Sequence, residues 1–299
     1  MLLDRVAGAP ISWGVCEVPG WGHQLDPARV LTEMRAVGLV ATEFGPDGFL
    51  PDDPAEKAEV LAAHGLSAVG GFVPVVLHDA DHDPMAAVTS ALDAFTAANA
   101  TTLVLAADTG ATGYDHRVEP TAQQWRLLLA TLDRIREVAG ERGITATLHP
   151  HVGTVVESAD DVARVLDGCT IPLCLDTGHL MIGGGDPAAL AAQVPDRIAH
   201  THLKDVDAAA AARVRAGEIA YSTAVAEGMY RPLGQGDADI AAIITTLEAA
   251  GYTGWYVLEQ DTVLTAEPPA DSGPVDDVRA GLRFVADVAA STATAGTSP

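Results

Sequence analysis

Cysteine is scarce: the chain of 299 residues has three, Cys16, Cys169 and Cys174. An odd number without a short even-numbered framework excludes the disulfide scaffold of small secreted domains, and a reducing compartment, the cytoplasm, is the expected setting. Long apolar runs are missing as well. No stretch approaches the roughly 18 apolar residues of a membrane span, and the opening MLLDRVAGAP has only a brief apolar patch broken by Asp4, so no signal-peptide core is expected. Positive charge is in deficit, with 17 Lys and Arg against 41 Asp and Glu and a formal charge of −24. Such a surface repels phosphate backbones and anionic headgroups, so neither nucleic acid nor membrane is an expected partner. The excess is diffuse, without a block of like charges, and favours solubility. A G-x-G-x-x-G turn is absent too, Trp13-Gly14-Val15-Cys16 standing where a dinucleotide-binding sheet would carry it.

About half the chain, 48%, is hydrophobic, enough to fill a sizeable core. Short apolar or β-branched runs alternate with amphipathic stretches of helical length some eight times. Strands are expected over 9–13, 41–45, 67–76, 102–107, 145–151, 172–176, 198–204 and 254–260. Helices are expected over 26–37, 54–64, 84–99, 121–142, 159–166, 187–194, 237–250 and 275–289. Asp26-Pro27 and Asp186-Pro187 place a capping carboxylate before a first-turn proline, and Gly38, Gly65, Gly143 and Gly251 follow helical runs as left-handed terminators do. Strand then helix, eight times without a linker, predicts an α/β fold, a single closed (β/α)8 TIM barrel over residues 1–290, with 291–299 as a frayed tail. The connection 206–235 is long for a barrel, carries a short helix within 208–217, and is expected to form a lid or substrate wall.

Active sites on such barrels lie at the carboxyl ends of the strands, and polar residues gather there: Glu43, His149, His151, Asp176, His179, His202, Lys204 and Glu259. Four of them, His149, Asp176, His202 and Glu259, are of metal-ligand type on neighbouring strands of one half of the barrel. An ionised Asp, an ionised Glu and two imidazoles in one mouth are costly unless a cation binds them. The mixed shell suits Mn²⁺ or Co²⁺ first, then Zn²⁺ or Fe²⁺, with Mg²⁺ less at home outside all-oxygen sites. Cys169 and Cys174 stand too early in their strand region to join. Each ligand has a plainer reading: Asp176 is suited to cap a helix, and each histidine to a buried backbone contact. Asp176-Thr177-Gly178 is a single copy of the tripeptide that aspartic proteases need twice. The ligand-rich segment 78–83 reads as a solvated loop, and Gly183–Gly185 and Gly234-Gln235-Gly236-Asp237 offer backbone access to a ligand or, nearly as well, simple turns.

The motifs LCLDTGH, HTHLKD, GQGD and LEQD, in that order on a strand–helix repeat, resemble the sugar phosphate isomerase/epimerase superfamily with its xylose isomerase-like TIM barrel. APISWG, TEFGPDGFLP and HPHVGT are similar to the inosose (2-keto-myo-inositol) dehydratase branch. The resemblance implies a divalent ion held by Asp176, His202 and Glu259. It also implies a departure: the fifth-strand position, usually Glu, is His149, with His151 two residues on and on the same face. Losing that carboxylate weakens a two-carboxylate epimerase mechanism and favours a lyase. The expected activity is therefore dehydration of a cyclic polyhydroxy ketone in inositol catabolism. A ketose isomerase or epimerase is the alternative, and a sugar-binding barrel without turnover the non-enzyme one. The acid–base pair is drawn from His151, His179 and Glu43, with Glu259 as an alternative base and Lys204 as the neutralising charge. Trp13, with Phe44 and Trp21, is expected to wall the carbon face of a small polyol or sugar, and Glu43, His179 and Lys204 to bind its hydroxyls. Homo-oligomerisation stays open.

Overall fold

The computed structural model describes residues 1–295. Eight parallel strands form the barrel: β1 (Val6–Gly8), β2 (Ala41–Thr42), β3 (Ser67–Ala68 continued by Gly70–Val76), β4 (Thr102–Asp108), β5 (Thr145–Leu148), β6 (Leu173–Asp176), β7 (Ile198–Leu203) and β8 (Tyr256–Leu258). Consecutive strands pair in parallel, and β8 returns to β1 with Val6 opposite Tyr256. The ring closes through β3, whose first part pairs with β2 and whose second pairs with β4. The switch occurs at Gly70, where φ is +154° and a Cβ would stand 1.7 Å from the Thr102 carbonyl oxygen, so only glycine fits.

The helices pack outside the ring because their apolar stripes face the buried strands. Asp26, Asp53 and Asp186 each accept two backbone N–H groups at a helix start with proline in the first turn. Gly38, Gly65, Gly143 and Gly251 all adopt positive φ. The largest core includes Val30, Leu103, Leu105, Leu128, Leu173 and Ile243, all fully enclosed between ring and helices.

Three expectations are corrected. The first strand lies at Val6–Gly8, and the expected 9–13 is instead a 3-10 turn, Pro10–Trp13, because Pro10 cannot donate to a ladder and Gly14 at φ 82° ends the turn. Helix Thr177–Ile182 directly follows β6, in a stretch with too short a period to be read. The last helix, Pro274–Ala295, continues into the first five residues of the expected tail, and 296–299 lie outside the described residues.

The long connection forms a cap. Asp205–Val206 pairs antiparallel with Tyr230–Arg231, and helices Ala208–Arg215 and Tyr221–Ala226 fill the span between them. Asp205, fully buried, anchors the return: its carboxylate accepts from the N–H groups of Val206, Gly234, Gly236 and Ala238 at 2.8–3.0 Å. A Cβ on Gly236 would lie 2.3 Å from Asp205 Oδ1, which accounts for glycine there and bears out the turn reading of that motif. Asp205→Ala leaves these donors unpaired and is expected to cost about 3 kcal/mol by denaturant unfolding.

Candidate active site

The strand ends bring the expected polar residues into one mouth. Asp176 closes β6 and divides its work between two oxygens. Oδ1 accepts the His179 N–H at 2.7 Å and so caps helix Thr177–Ile182, while Oδ2 faces His149 Nε2 at 3.2 Å, His202 Nδ1 at 3.6 Å and Lys204 Nζ at 3.7 Å. The plain reading of Asp176 as a helix cap is met by Oδ1, which leaves Oδ2 facing the imidazoles and the ammonium.

Asp176, His202 and Glu259 offer ligand atoms that all lie within 4.8 Å of one another, and His149, Asp176 and His179 form a second such group. His149 therefore joins the first three through the shared Asp176. His202 Nδ1 and Glu259 Oε2 approach to 2.7 Å yet lack hydrogen-bond geometry, and both are sealed from solvent without a partner. Such orphaned acceptors need a compensating group. The charge count points the same way: Asp176, Glu259 and Asp261 converge on the ammonium of Lys204 while Glu43 meets imidazoles. Despite burial, the neighbouring carboxylates hold the His202 pKa well above the ordinary histidine value, and even with that ring counted as a cation a formal excess of two negative charges remains. A divalent cation fits this donor set, with Asp176, His202 and Glu259 as its holders and His149 beside them. Cys174 also lies among these groups, near His149 and His202, because residues two apart on β6 share a face. Sequence position had set it too far away. Burial pushes its thiol up to about 11, which keeps it protonated.

Lys204 is the clamp of the site. Its ammonium donates to Glu259 Oε1 at 2.9 Å and to Asp261, and lies 3.4 Å from His179 Nε2. Burial opposes its charge, but Asp261, Glu259 and Asp176 more than restore it and hold its pKa well above the ordinary lysine value. Burial would also raise the Glu259 carboxyl, yet His202 and Lys204 draw it down to about 2. In Asp261 burial wins and the carboxyl rises. Asp261 accepts Tyr221 Oη at 2.5 Å, and Tyr221 meets Tyr230 at 3.0 Å, so the cap reaches the site through two phenols. Asp261, Tyr221 and Tyr230 were missed from sequence. Asp261 stands in LEQD beside Glu259, and that adjacency was the available signal; the tyrosines carried none.

His151 and His179 stack with ring centroids 3.7 Å apart, and Tyr114 covers His151 at 4.4 Å. The Nδ1 of His151 lies 2.7 Å from the Val152 carbonyl, which only accepts, so the ring proton sits on Nδ1. No group among the described residues hydrogen-bonds His151 Nε2, which is left as a bare acceptor. Burial, reinforced by His149, holds His151 well below the ordinary histidine value; burial and His151 do the same for His179. Both rings are neutral at pH 7.

Three placements differ from expectation. Trp13 is fully buried, donates from Nε1 to Glu33 Oε2 at 2.9 Å, and belongs to the main core with Met34 and Leu39. The turn at Pro10 directs the ring under helix Pro27–Ala36, so Trp13 does not wall a substrate. Phe44 is likewise core, stacked on Phe95. Of the three rings only Trp21 packs at the mouth, with Val152, Tyr221 and Tyr230. Phe72, edge-on to His149 and tilted to His151, supplies apolar surface the sequence did not advertise. Glu43 is nearly enclosed, and its Oε1 takes His200 Nε2 at 2.8 Å and His202 Nε2 at 3.0 Å. In place of the expected substrate hydroxyls, its Oε1 meets a pair of histidines, one of which, His200, was unread.

Comparison with known proteins places this architecture among relatives. Residues 31–288 match the family described as xylose isomerase-like TIM barrel. The chain is 30% identical to the rhizopine catabolism protein MocC of Rhizobium meliloti, over 96% of this chain and 89% of that one. It is 31% identical to an inosose dehydratase of Geobacillus kaustophilus, over 86% and 87%. Among solved structures, L-ribulose 3-epimerase superposes with a TM-score of 0.70 at 17% identity, covering 98% of this chain and 96% of that one. The IOLI protein with a bound zinc atom superposes at 0.66 and 13% identity, covering 95% and 97%. No helix among the described residues is long and apolar enough to cross a membrane.

Proposed function

The chain belongs to the xylose isomerase-like TIM barrel family, and from that premise we propose that it is a metal-dependent lyase that dehydrates a cyclic polyhydroxy ketone of the inosose type. The observation that carries the proposal is the mouth itself: three converging ligands, two of which, His202 and Glu259, present an orphaned atom, an imidazole where a second opposed carboxylate would be required for two-base epimerisation, and a bare imidazole nitrogen beside them. The kinship with an inosose dehydratase at 31% identity supports the same substrate class.

Asp176, His202 and Glu259, with His149, would hold the dication, Mn²⁺ or Co²⁺ by the chemistry of the set, with Zn²⁺, Fe²⁺ and Mg²⁺ to be compared. When bound, the ion would polarise the substrate carbonyl and acidify the adjacent carbon. His151 Nε2 takes the α-proton, being unprotonated and fixed in that tautomer by Val152. The C–O bond to the β-hydroxyl breaks, and that oxygen leaves as water with the proton returned from His151. His179 holds the His151 ring by stacking and faces substrate hydroxyls beside it. The Lys204 ammonium, locked by Glu259 and Asp261, offsets negative charge on the enolate oxygen from a fixed position. Glu43 is released from acid–base duty, since burial would raise its carboxyl but the His202 and His200 imidazoles hold it well below the usual carboxylate range. Three free thiols suit a cytoplasmic enzyme of carbohydrate catabolism.

The test is mass analysis of the product after incubation of Mn²⁺- or Co²⁺-loaded protein with an inosose and with linear ketoses. Loss of one water from the cyclic ketone is expected. A rearranged product of unchanged mass makes the protein an isomerase or epimerase, and no turnover with any of the five ions makes it a binding barrel.

A further inference from the structure

Glu43 and His200 lie behind the proposed metal centre, and their arrangement carries more than packing. Glu43 follows β2, while His200 and His202 both project inward from β7; in the ring, β1 and β8 stand between these strands. The carboxylate therefore spans the barrel interior to meet residues 157 and 159 positions away in sequence. Both imidazoles reach the same oxygen through Nε2, at 2.8 and 3.0 Å, in a site where Glu43, His200 and His202 are almost wholly enclosed. An ionised carboxylate only accepts, so each Nε2 must carry the proton. For His202 that leaves Nδ1, the atom that faces Asp176 and Glu259, as the nitrogen free to bind a cation. For His200 it leaves a buried Nδ1 without a partner, so nothing competes with Glu43 for that ring.

We propose that Glu43 is a positioning residue for the metal centre: it fixes His202 in the tautomer whose Nδ1 is the ligand atom, and His200 fixes Glu43 by sharing its Oε1. The inference rests on the metal reading above and adds a part to it. Two donors on one oxygen leave that oxygen no freedom to rotate away. A carboxylate behind a ligating imidazole also raises the basicity of the ligand nitrogen, and loss of such a partner typically weakens metal affinity roughly 10–100-fold. Turning Oε1 of Glu43 toward substrate, the role the sequence suggested for this residue, would leave two buried imidazoles unpartnered.

The experiment uses full-length protein loaded with Zn²⁺, which is diamagnetic, and ¹⁵N-labelled histidine. In the wild type, nitrogen shifts are expected to report His202 metallated at Nδ1 and protonated at Nε2, with a slowly exchanging Nε2 proton. Glu43→Gln is expected to weaken Zn²⁺ and Mn²⁺ binding in calorimetry roughly 10–100-fold and to speed exchange of that proton. His200→Phe is expected to lower affinity less, because His202 keeps its acceptor. Metallation at Nε2 in the wild type overturns the proposal without recourse to any variant. So does Glu43→Gln that folds and binds both ions with unchanged affinity. A wild type that takes up neither ion sinks the metal reading, and this proposal with it.

Discussion

Asp176→Asn is expected to strip the protein of its dication and to lower turnover by about a thousandfold, equivalent to roughly 4 kcal/mol of barrier. The substitution keeps the shape of the side chain and an oxygen for the His179 N–H, so helix Thr177–Ile182 can retain its cap. What it removes is the charge on Oδ2, where His149, His202 and Lys204 converge. Elemental analysis of wild type, Asp176→Asn, Glu259→Ala and His149→Ala, purified in parallel, reads the first part, and steady-state kinetics reads the second. Metal content equal to wild type in all three variants would show that the site as described does not hold an ion.

His151→Phe is expected to reduce kcat by about 10²–10⁴-fold, the usual contribution of a positioned proton-transfer group, with metal content unchanged. Phenylalanine keeps the ring between His179 and Tyr114, so the mouth stays filled, but it removes the bare Nε2 to which the proposed mechanism assigns the α-proton. KM should change little, because the lost interaction belongs to the transition state. The result separates two bases. If the variant retains activity within tenfold of wild type, the proton goes elsewhere, and Glu259, half-buried and drawn to low pKa by His202 and Lys204, becomes the base.

Much of this arrangement is legible in the amino-acid sequence. The eight-fold alternation located every strand of the barrel to within a few residues except the first, where Pro10 displaced the ladder toward the amino terminus. Asp176, His202, Lys204 and Glu259 were readable because motif chemistry at a strand end is local: the residue type and its place on the strand suffice to put it in the mouth. Trp13 was misassigned because a strand-end aromatic and a turn aromatic look alike in sequence, while their rings point to different compartments. Asp261 escaped because its partner, Tyr221, arrives from a cap 40 residues away.

The spacing of apolar residues dictates the barrel, and the residues that terminate each strand dictate the ligand types presented at its carboxyl end. Folding alone reveals which nitrogen of His151 is bare, that Glu43 belongs to His200 and His202 and not to solvent, and that three carboxylates, Asp176, Glu259 and Asp261, share one lysine. Those outcomes depend on side-chain direction and on distances across the ring. A chain read residue by residue carries no such distances, because they arise only once the ring has closed.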